Sequence, residues 1–265
     1  MINKLMYKIG GGISTFIEGI FAPLNILPYA VSALVRDKRE VRKTYSMLFY
    51  KEVFNVGVKA LPLSLVMGLS IGALSVILFP FETISFGIDN IYGSMYVNLL
   101  FRETAPLITS LIVIIRSSIG ITIELTQMSI DGEIDTLEII GINPIQYLGS
   151  FRVFAGFLSV PILTIYFAFF SLISGMLVTY SLYNIPMNVY IAETLDVMNL
   201  KDFIILIIKT VFGGFTIFII AIHNGLTAAK DRSMVASKTI KSIISSIFII
   251  IIVNLLITVS FYASR

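Results

Sequence analysis

Residues 243–262 read IISSIFIIIIVNLLITVSFY, twenty consecutive positions without a charged side chain. At 1.5 Å per residue such a helix is ~30 Å long, the thickness of a bilayer's hydrocarbon core. The run therefore reads as a membrane span. Working outward, residues 60–81 and 153–182 qualify on the same grounds, and 203–222 qualifies with Lys209 as its only charge. A fifth segment, 95–123, is interrupted by Arg102, Glu103 and Arg116, and its clean apolar stretch covers only 105–115. It still counts as a span, because strict alternation is absent and helix-compatible sequence continues on both sides. The expected fold is an all-α membrane protein with about five transmembrane helices.

Composition agrees. The 265 residues are 57% hydrophobic and 13% charged, against about 25% charged in soluble domains. The absence of cysteine excludes a disulfide framework and thiolate chemistry. The net charge of +3 gives no reason to expect a nucleic-acid partner. Residues 1–12 carry Lys4 and Lys8 but no uninterrupted apolar run, so no cleavable signal peptide is expected and insertion falls to the internal spans.

Lys and Arg set the expected orientation. Before the first span lie Lys4, Lys8, Arg36, Lys38, Arg39, Arg42, Lys43 and Lys51, and after the fourth lie Lys230, Arg232, Lys238 and Lys241. Residues 81–94 have none, and 183–201 have one. The N-terminus is expected in the cytoplasm and the C-terminus outside, in a multi-pass protein. Ile13, Phe16, Ile17, Ile20, Phe21 and Leu24 recur at helical spacing. They read as an amphipathic helix in the cytoplasmic interface, or as one packed on the bundle. The chain is thus divided into an interfacial N-terminal segment, 1–52, and a transmembrane domain, 53–265.

Arg102 and Glu103 fall inside the second span, where charges facing lipid are costly. They are expected to face a protein interior or line a water-filled cavity. The alternative is an ion pair with another span. Adjacent helical residues point about 100° apart, so the two do not satisfy each other. Arg116 and Glu124 read as structural ion pairs or interfacial anchors. Lys209 reads the same way, its long stem able to snorkel outward. After the second span comes DGEIDTLEII, residues 131–140, with Ile130, Ile134 and Leu137 on one face and Glu133 and Glu138 elsewhere. Gly141 and Asn143-Pro144 stop it. It is an amphipathic helix that either docks into a partner's groove or lies on the membrane. Enzymatic readings fail on the residues present. His223 is the only histidine and no G-x-S-x-G occurs. Gly10 to Gly12 also lack the strand and the Lys-Ser/Thr of a phosphate loop.

One stretch carries a family resemblance. Arg102-Glu103, Pro106, Arg116, Glu124, Met128, Glu133 to Asp135, Leu137-Glu138, Gly141, Asn143-Pro144, Tyr147-Leu148 and Arg152 resemble the signature of the MlaE/YrbE permeases. These are membrane subunits of ABC transporters that work with MCE proteins. Asn55 to Val58 and Gly68 to Gly72 resemble that family's first span. Lys209, Phe212-Gly213, Asn224-Gly225 and Val235 resemble its fourth span and following loop. Ala105, Thr126, Phe151 and Lys230-Asp231 depart from the pattern, which bears on lipid preference. The resemblance implies a lipid permease of a bacterial inner membrane that acts as a homodimer and takes glycerophospholipid or a similar lipid. On that reading the wet cavity at Arg102 and Glu103 would take the lipid headgroup, with Leu99, Leu100 and Leu107 against acyl chains. Each copy would be bound to a separate ABC ATPase subunit, with an MCE-domain protein on the outer side. No cofactor of its own is implied, ATP being bound by the partner. Asp131, Glu133, Ile134, Asp135, Leu137, Glu138 and Gly141 would form the ATPase-coupling helix.

Two rival classes remain at this level: a secondary transporter or channel working alone, and a non-transporting membrane scaffold. The first predicts discontinuous helices, a midplane ion site and often an inverted repeat; no repeat is seen, and the charges lie off the midplane. Co-purification of an ATPase separates both from the permease. The topology has its own test. In this Cys-free chain, Arg232→Cys should resist an impermeant thiol reagent in intact cells while Arg265→Cys reacts, and external labelling at 232 would overturn the orientation.

Overall fold

The computed structural model describes residues 39–78, 96–227, 231 and 233–263, with side chains from residue 45 onward. The expected interfacial helix at 13–24, the loop at 81–94, Lys230, Arg232 and Arg265 lie outside the described residues. Among the described residues every regular element is helical. Helix α1, Arg39–Val56, passes through a 3₁₀ turn at Val58–Ala60 into α2, Leu61–Leu78. The second span begins as a π-helix, Tyr96–Thr104, and continues as α3, Ala105–Val113. It widens again at Ile114–Ser118 and ends as α4, Ile119–Ile130. Next come α5, Glu133–Ile139, and a π turn at Ile145–Gly149 leading into α6, Ser150–Tyr183. The chain closes with α7, Met187–Val197; α8, Leu200–Leu226; and α9, Met234–Ala263.

Among the described residues, five helices are long and apolar enough to cross a membrane: Tyr45–Leu78, Tyr96–Ile130, Ile145–Tyr183, Leu200–Leu226 and Met234–Ala263. All five expected spans are present, each longer than its apolar run. Hydropathy marks only the part that needs lipid, whereas backbone hydrogen bonding carries a helix on into the polar layers. The first span thus includes Lys51, Glu52 and Lys59, and α1 runs through residue 52. The segment 183–201, read as a plain connection, holds α7. Its start follows Pro186, which cannot continue a preceding helix, and Asn184 takes a positive φ of 52° at the turn before it.

The helices contribute to two compact units. The first comprises the described residues of 1–52, 114–155 and 215–249; the second those of 53–113, 156–214 and 250–265. In the first, α4 is tied to α8 and α9 by Thr122. Its hydroxyl lies 3.4 Å from the Ala221 carbonyl and donates to Ser242 Oγ at 3.1 Å. Tyr45 donates to the Gln146 carbonyl at 3.0 Å and its ring meets Tyr147 edge-on. Asp231 accepts from the Ser233 hydroxyl and backbone N–H at the start of α9. Those bonds hold its carboxyl below the usual value.

In the second unit α2 buries Ser64, Gly68, Gly72 and Val76, every fourth residue. On its other faces Leu63, Val66, Leu74 and Ile77 are exposed. Lipid offers no hydrophobic gain for helix pairing, so close backbone approach across small residues supplies the contact. At Gly68 an added Cβ would stand 2.8 Å from the Phe167 carbonyl oxygen, and at Gly72 it would collide with the Ser171 carbonyl. Hydroxyls lock the same layer, with Thr109 and Thr164 2.6 Å apart. Phe101, Ala105, Phe167, Ala168 and Leu206 form a core beside it. Gly72→Leu should force α2 off α6 at a cost of ~1–3 kcal/mol or more, read as lost monodispersity and a lower melting temperature in detergent. The exposed Leu74→Ala should change neither, and a wild-type melting curve for Gly72→Leu would contradict this packing.

Candidate functional site

Arg102 and Glu103 sit in the π-helical start of the second span, and each finds a separate set of partners in the second unit. Arg102 is 4% exposed and forms an ion pair with Asp202, itself fully buried at the start of α8. Asp202 also accepts from the Asn199 backbone N–H at 2.9 Å, capping α8. Arg102 reaches Asn98 on its own turn and the Tyr262 hydroxyl at 3.2 Å, and its guanidinium lies 5.7 Å from the Phe261 ring. Glu103 turns the other way. Its carboxylate meets Lys209 Nζ at 2.8 Å, the Asn254 amide at 3.0 Å and the Thr258 hydroxyl at 2.9 Å.

Lys209 completes the cluster, and the expectation that it snorkels outward is overturned. It is 4% exposed and points inward, donating to Glu103, to the Arg102 carbonyl at 2.9 Å and to Thr258 at 2.7 Å. Three donors meet three acceptors, which outweighs a route to the headgroups. Two cations therefore face two carboxylates, and the cluster has no net charge. Glu103 keeps 32% of its side chain exposed, and Tyr262 is 46% exposed.

The expected lipid-site residues do not share one surface. Leu99 is 51% exposed and Leu107 is half-buried, whereas Leu100 lies in a core with Val76, Tyr96, Val97 and Tyr190. The polar partners Asp202, Asn98, Asn254, Thr258 and Tyr262 escaped the sequence reading. One signal was present: Asn254, Thr258 and Tyr262 recur every fourth residue in the run 243–262, whose other polar residues are serines, the spacing of one helix face. Asp202 stands one residue before the apolar run and reads as a span boundary.

In the first unit, α5 starts from Gly132 at φ 77° and ends into Gly141 at φ 80°, left-handed conformations that glycine adopts freely. Ile134 is buried and Leu137 half-buried, as the periodicity requires. Glu133, Thr136 and Glu138 are exposed, and beyond them Ile139 is 83% and Ile140 62% exposed. Those isoleucines were not singled out from the sequence. Gln127, Ile130, Asp131 and Val235 line an open cavity of about 270 Å³ beside this helix. Arg116 and Glu124 do not pair with each other. Glu124 bonds Arg152 at 2.7 Å, and Arg116 is exposed with no ion-pair partner among the described residues. His223 is half-buried near the end of α8.

Known proteins match this sequence over most of its length. The sequence profile of the family described as "Permease MlaE" fits residues 49–260. A relative named a probable ABC transporter permease protein in Rickettsia typhi is 27% identical over 91% of this chain and 90% of its own. The chloroplastic TRIGALACTOSYLDIACYLGLYCEROL 1 protein of Arabidopsis thaliana is 26% identical over 92% of this chain and 68% of its own. The intermembrane phospholipid transport system permease protein MlaE of Haemophilus influenzae is 23% identical over 97% of both chains. With the profile covering most of its length and five spanning helices beneath it, the chain belongs to the MlaE permease family of multi-pass ABC transporter permeases.

Proposed function

We propose that this permease moves glycerophospholipid or a similar lipid for an ABC transporter. Two copies would each be bound to a separate ATPase and would exchange lipid with an MCE-domain protein outside an inner membrane. The observation that carries the reading is the charge-balanced cluster in the second unit, with one carboxylate edge accessible. A neutral cage of paired charges inside a membrane does not concentrate a bare ion. Its accessible edge suits a zwitterionic headgroup, with Glu103 taking the cationic end, Tyr262 the polar remainder, and Leu99 and Leu107 the chains. Arg102 then acts from beneath, holding the cluster's geometry through Asp202. The phospholipid in the Haemophilus relative's name supports the same class of cargo.

Coupling is assigned to α5. Its rigid glycine-bounded frame, buried Ile134 and protruding Ile139 and Ile140 form an apolar tip rimmed by Glu133 and Glu138. Such a tip fits a hydrophobic groove with basic edges, and the neighbouring cavity at Gln127 and Val235 would receive a side chain from the same partner. The ABC permease name of the Rickettsia relative supports an ATPase as that partner. ATP-driven change there would favour one permease conformation over another, which is how lipid affinity alternates.

Two experiments test these assignments. Glu133→Lys with Glu138→Lys should leave insertion and dimerisation intact while abolishing ATPase association or permease-stimulated turnover. Unchanged association and transport would remove α5 from the interface. Arg102→Ala alone should fail to fold, because stranding buried Asp202 costs ~3–5 kcal/mol. Adding Asp202→Asn should restore a stable protein that carries less co-purified lipid by native mass spectrometry and transports poorly. Wild-type lipid content and transport in that double variant would exclude Arg102 from the lipid site.

A further inference from the structure

Arg152 lies outside both the neutral cluster and α5. Its side chain is 5% exposed, and Nη2 bonds Glu124 Oε1 at 2.7 Å, while Nε and Nη1 have no hydrogen-bond partner. The Phe151 ring packs 5.4 Å from the guanidinium. A guanidinium is always charged and presents five donors in a fixed fork. Buried with two nitrogens unmatched, it calls for a second anion. Its present partner is readily exchanged, since Glu124 keeps 57% of its side chain in the open.

The surroundings specify what that anion is. Arg116, Gly120, Glu124 and Gln127 are all exposed and follow one another at helical spacing along one stripe of the second span. At Gly120 an added Cβ would meet nothing within 4 Å, so the stripe has an open notch one turn from Glu124. With Glu124 swung aside, the buried Arg152 guanidinium leaves a single positive charge, the complement of a phosphodiester. Depth agrees as well. Glu124 stands ~9 Å before the second span ends at Ile130, and Arg152 ~10 Å after the third begins at Ile145. Spans of 35 and 39 residues exceed the ~20 that cross hydrocarbon. A pair so near their shared end therefore lies in the headgroup layer.

We propose that Arg152 is the floor of a phosphate station for a bilayer phospholipid at the α5 end of the second and third spans. Glu124 is the resident anion that the phosphate displaces. Gly120 gives the glycerol backbone room, and Arg116, two turns nearer the membrane centre, marks the direction in which the headgroup can advance. The proposal rests on the lipid-permease reading for its class of ligand and adds a binding site distinct from the Glu103 cluster.

The test uses the full chain with Gln127→Cys carrying a benzophenone, in nanodiscs containing tracer phosphatidylglycerol or tracer diacylglycerol. Photolabelling by phosphatidylglycerol should exceed that by diacylglycerol roughly ten-fold, the worth of a charge-assisted contact. Glu124→Gln should raise it by vacating Arg152, and Arg152→Gln should reduce it to the diacylglycerol level. If Arg152→Gln fails to fold, the sign of the Glu124→Gln effect still decides. Equal labelling by the two lipids, or a fall with Glu124→Gln, overturns the station. Competition by inorganic phosphate would assign the site to a free anion and overturn the lipid ligand. Labelling of the probe-bearing chain without ATP-dependent lipid movement by the unmodified chain would sink the transport reading and keep the station; transport by the unmodified chain without labelling would do the reverse.

Discussion

Four ionised side chains drawn together in the second unit set the terms for everything around them. Arg102, Glu103, Asp202 and Lys209 come from the second and fourth spans, and the fifth adds Asn254, Thr258 and Tyr262. None of the four charges is tolerable alone in a low-dielectric interior. Each therefore fixes the position of the others, and three helices are held in one register by the need to keep charge paired. Apolar contacts between spans cannot supply such discrimination, because lipid chains solvate leucine as well as another helix does. The same constraint explains why α2 relies on a different device, a seam of small residues against the backbone of α6.

The spans were legible because hydropathy is a property of contiguous sequence, and the bilayer imposes its length directly. Arg102 and Glu103 stood out for the same reason, as charges where none should be. Their partners did not. Asp202 is a hundred positions away and looks like the polar start of a span, and nothing local to Lys209 reveals that Glu103 and Thr258 converge on it. The inward turn of Lys209 is a tertiary fact, decided by acceptors from two other spans. Helix α7 escaped because, at eleven residues, it is too short to read as a span and Asn188, Glu193, Thr194 and Asp196 interrupt its apolar positions. The outline of α5 was readable from Asp131 to Gly141, yet its most exposed apolar residues, Ile139 and Ile140, were not, since periodicity assigns apolar positions to the buried side.

Within the first unit the polar design has another character. Thr122, Ser242 and the Ala221 carbonyl share hydrogen bonds without any ionised group, joining α4, α8 and α9. Hydroxyl contacts between membrane helices average well under the strength of a buried ion pair, so this joint constrains its helices less tightly than the charged one. Arg152 is the exception there, a permanent charge secured by a single solvent-facing carboxylate.

The wide turns of the second span carry a consequence for how the chain can vary. A π turn is an α-helix accommodating one residue too many. Tyr96–Thr104 is such a segment, and it contains both Arg102 and Glu103. Removing that surplus residue would restore ordinary helix and swing every side chain on one side of the deletion by ~100° relative to the other. Arg102 and Glu103 would then rotate away from Asp202 and Lys209 together. The surplus residue of Tyr96–Thr104 thus holds the reading frame of this stretch of helix surface, which a point substitution preserves and a single-residue deletion shifts.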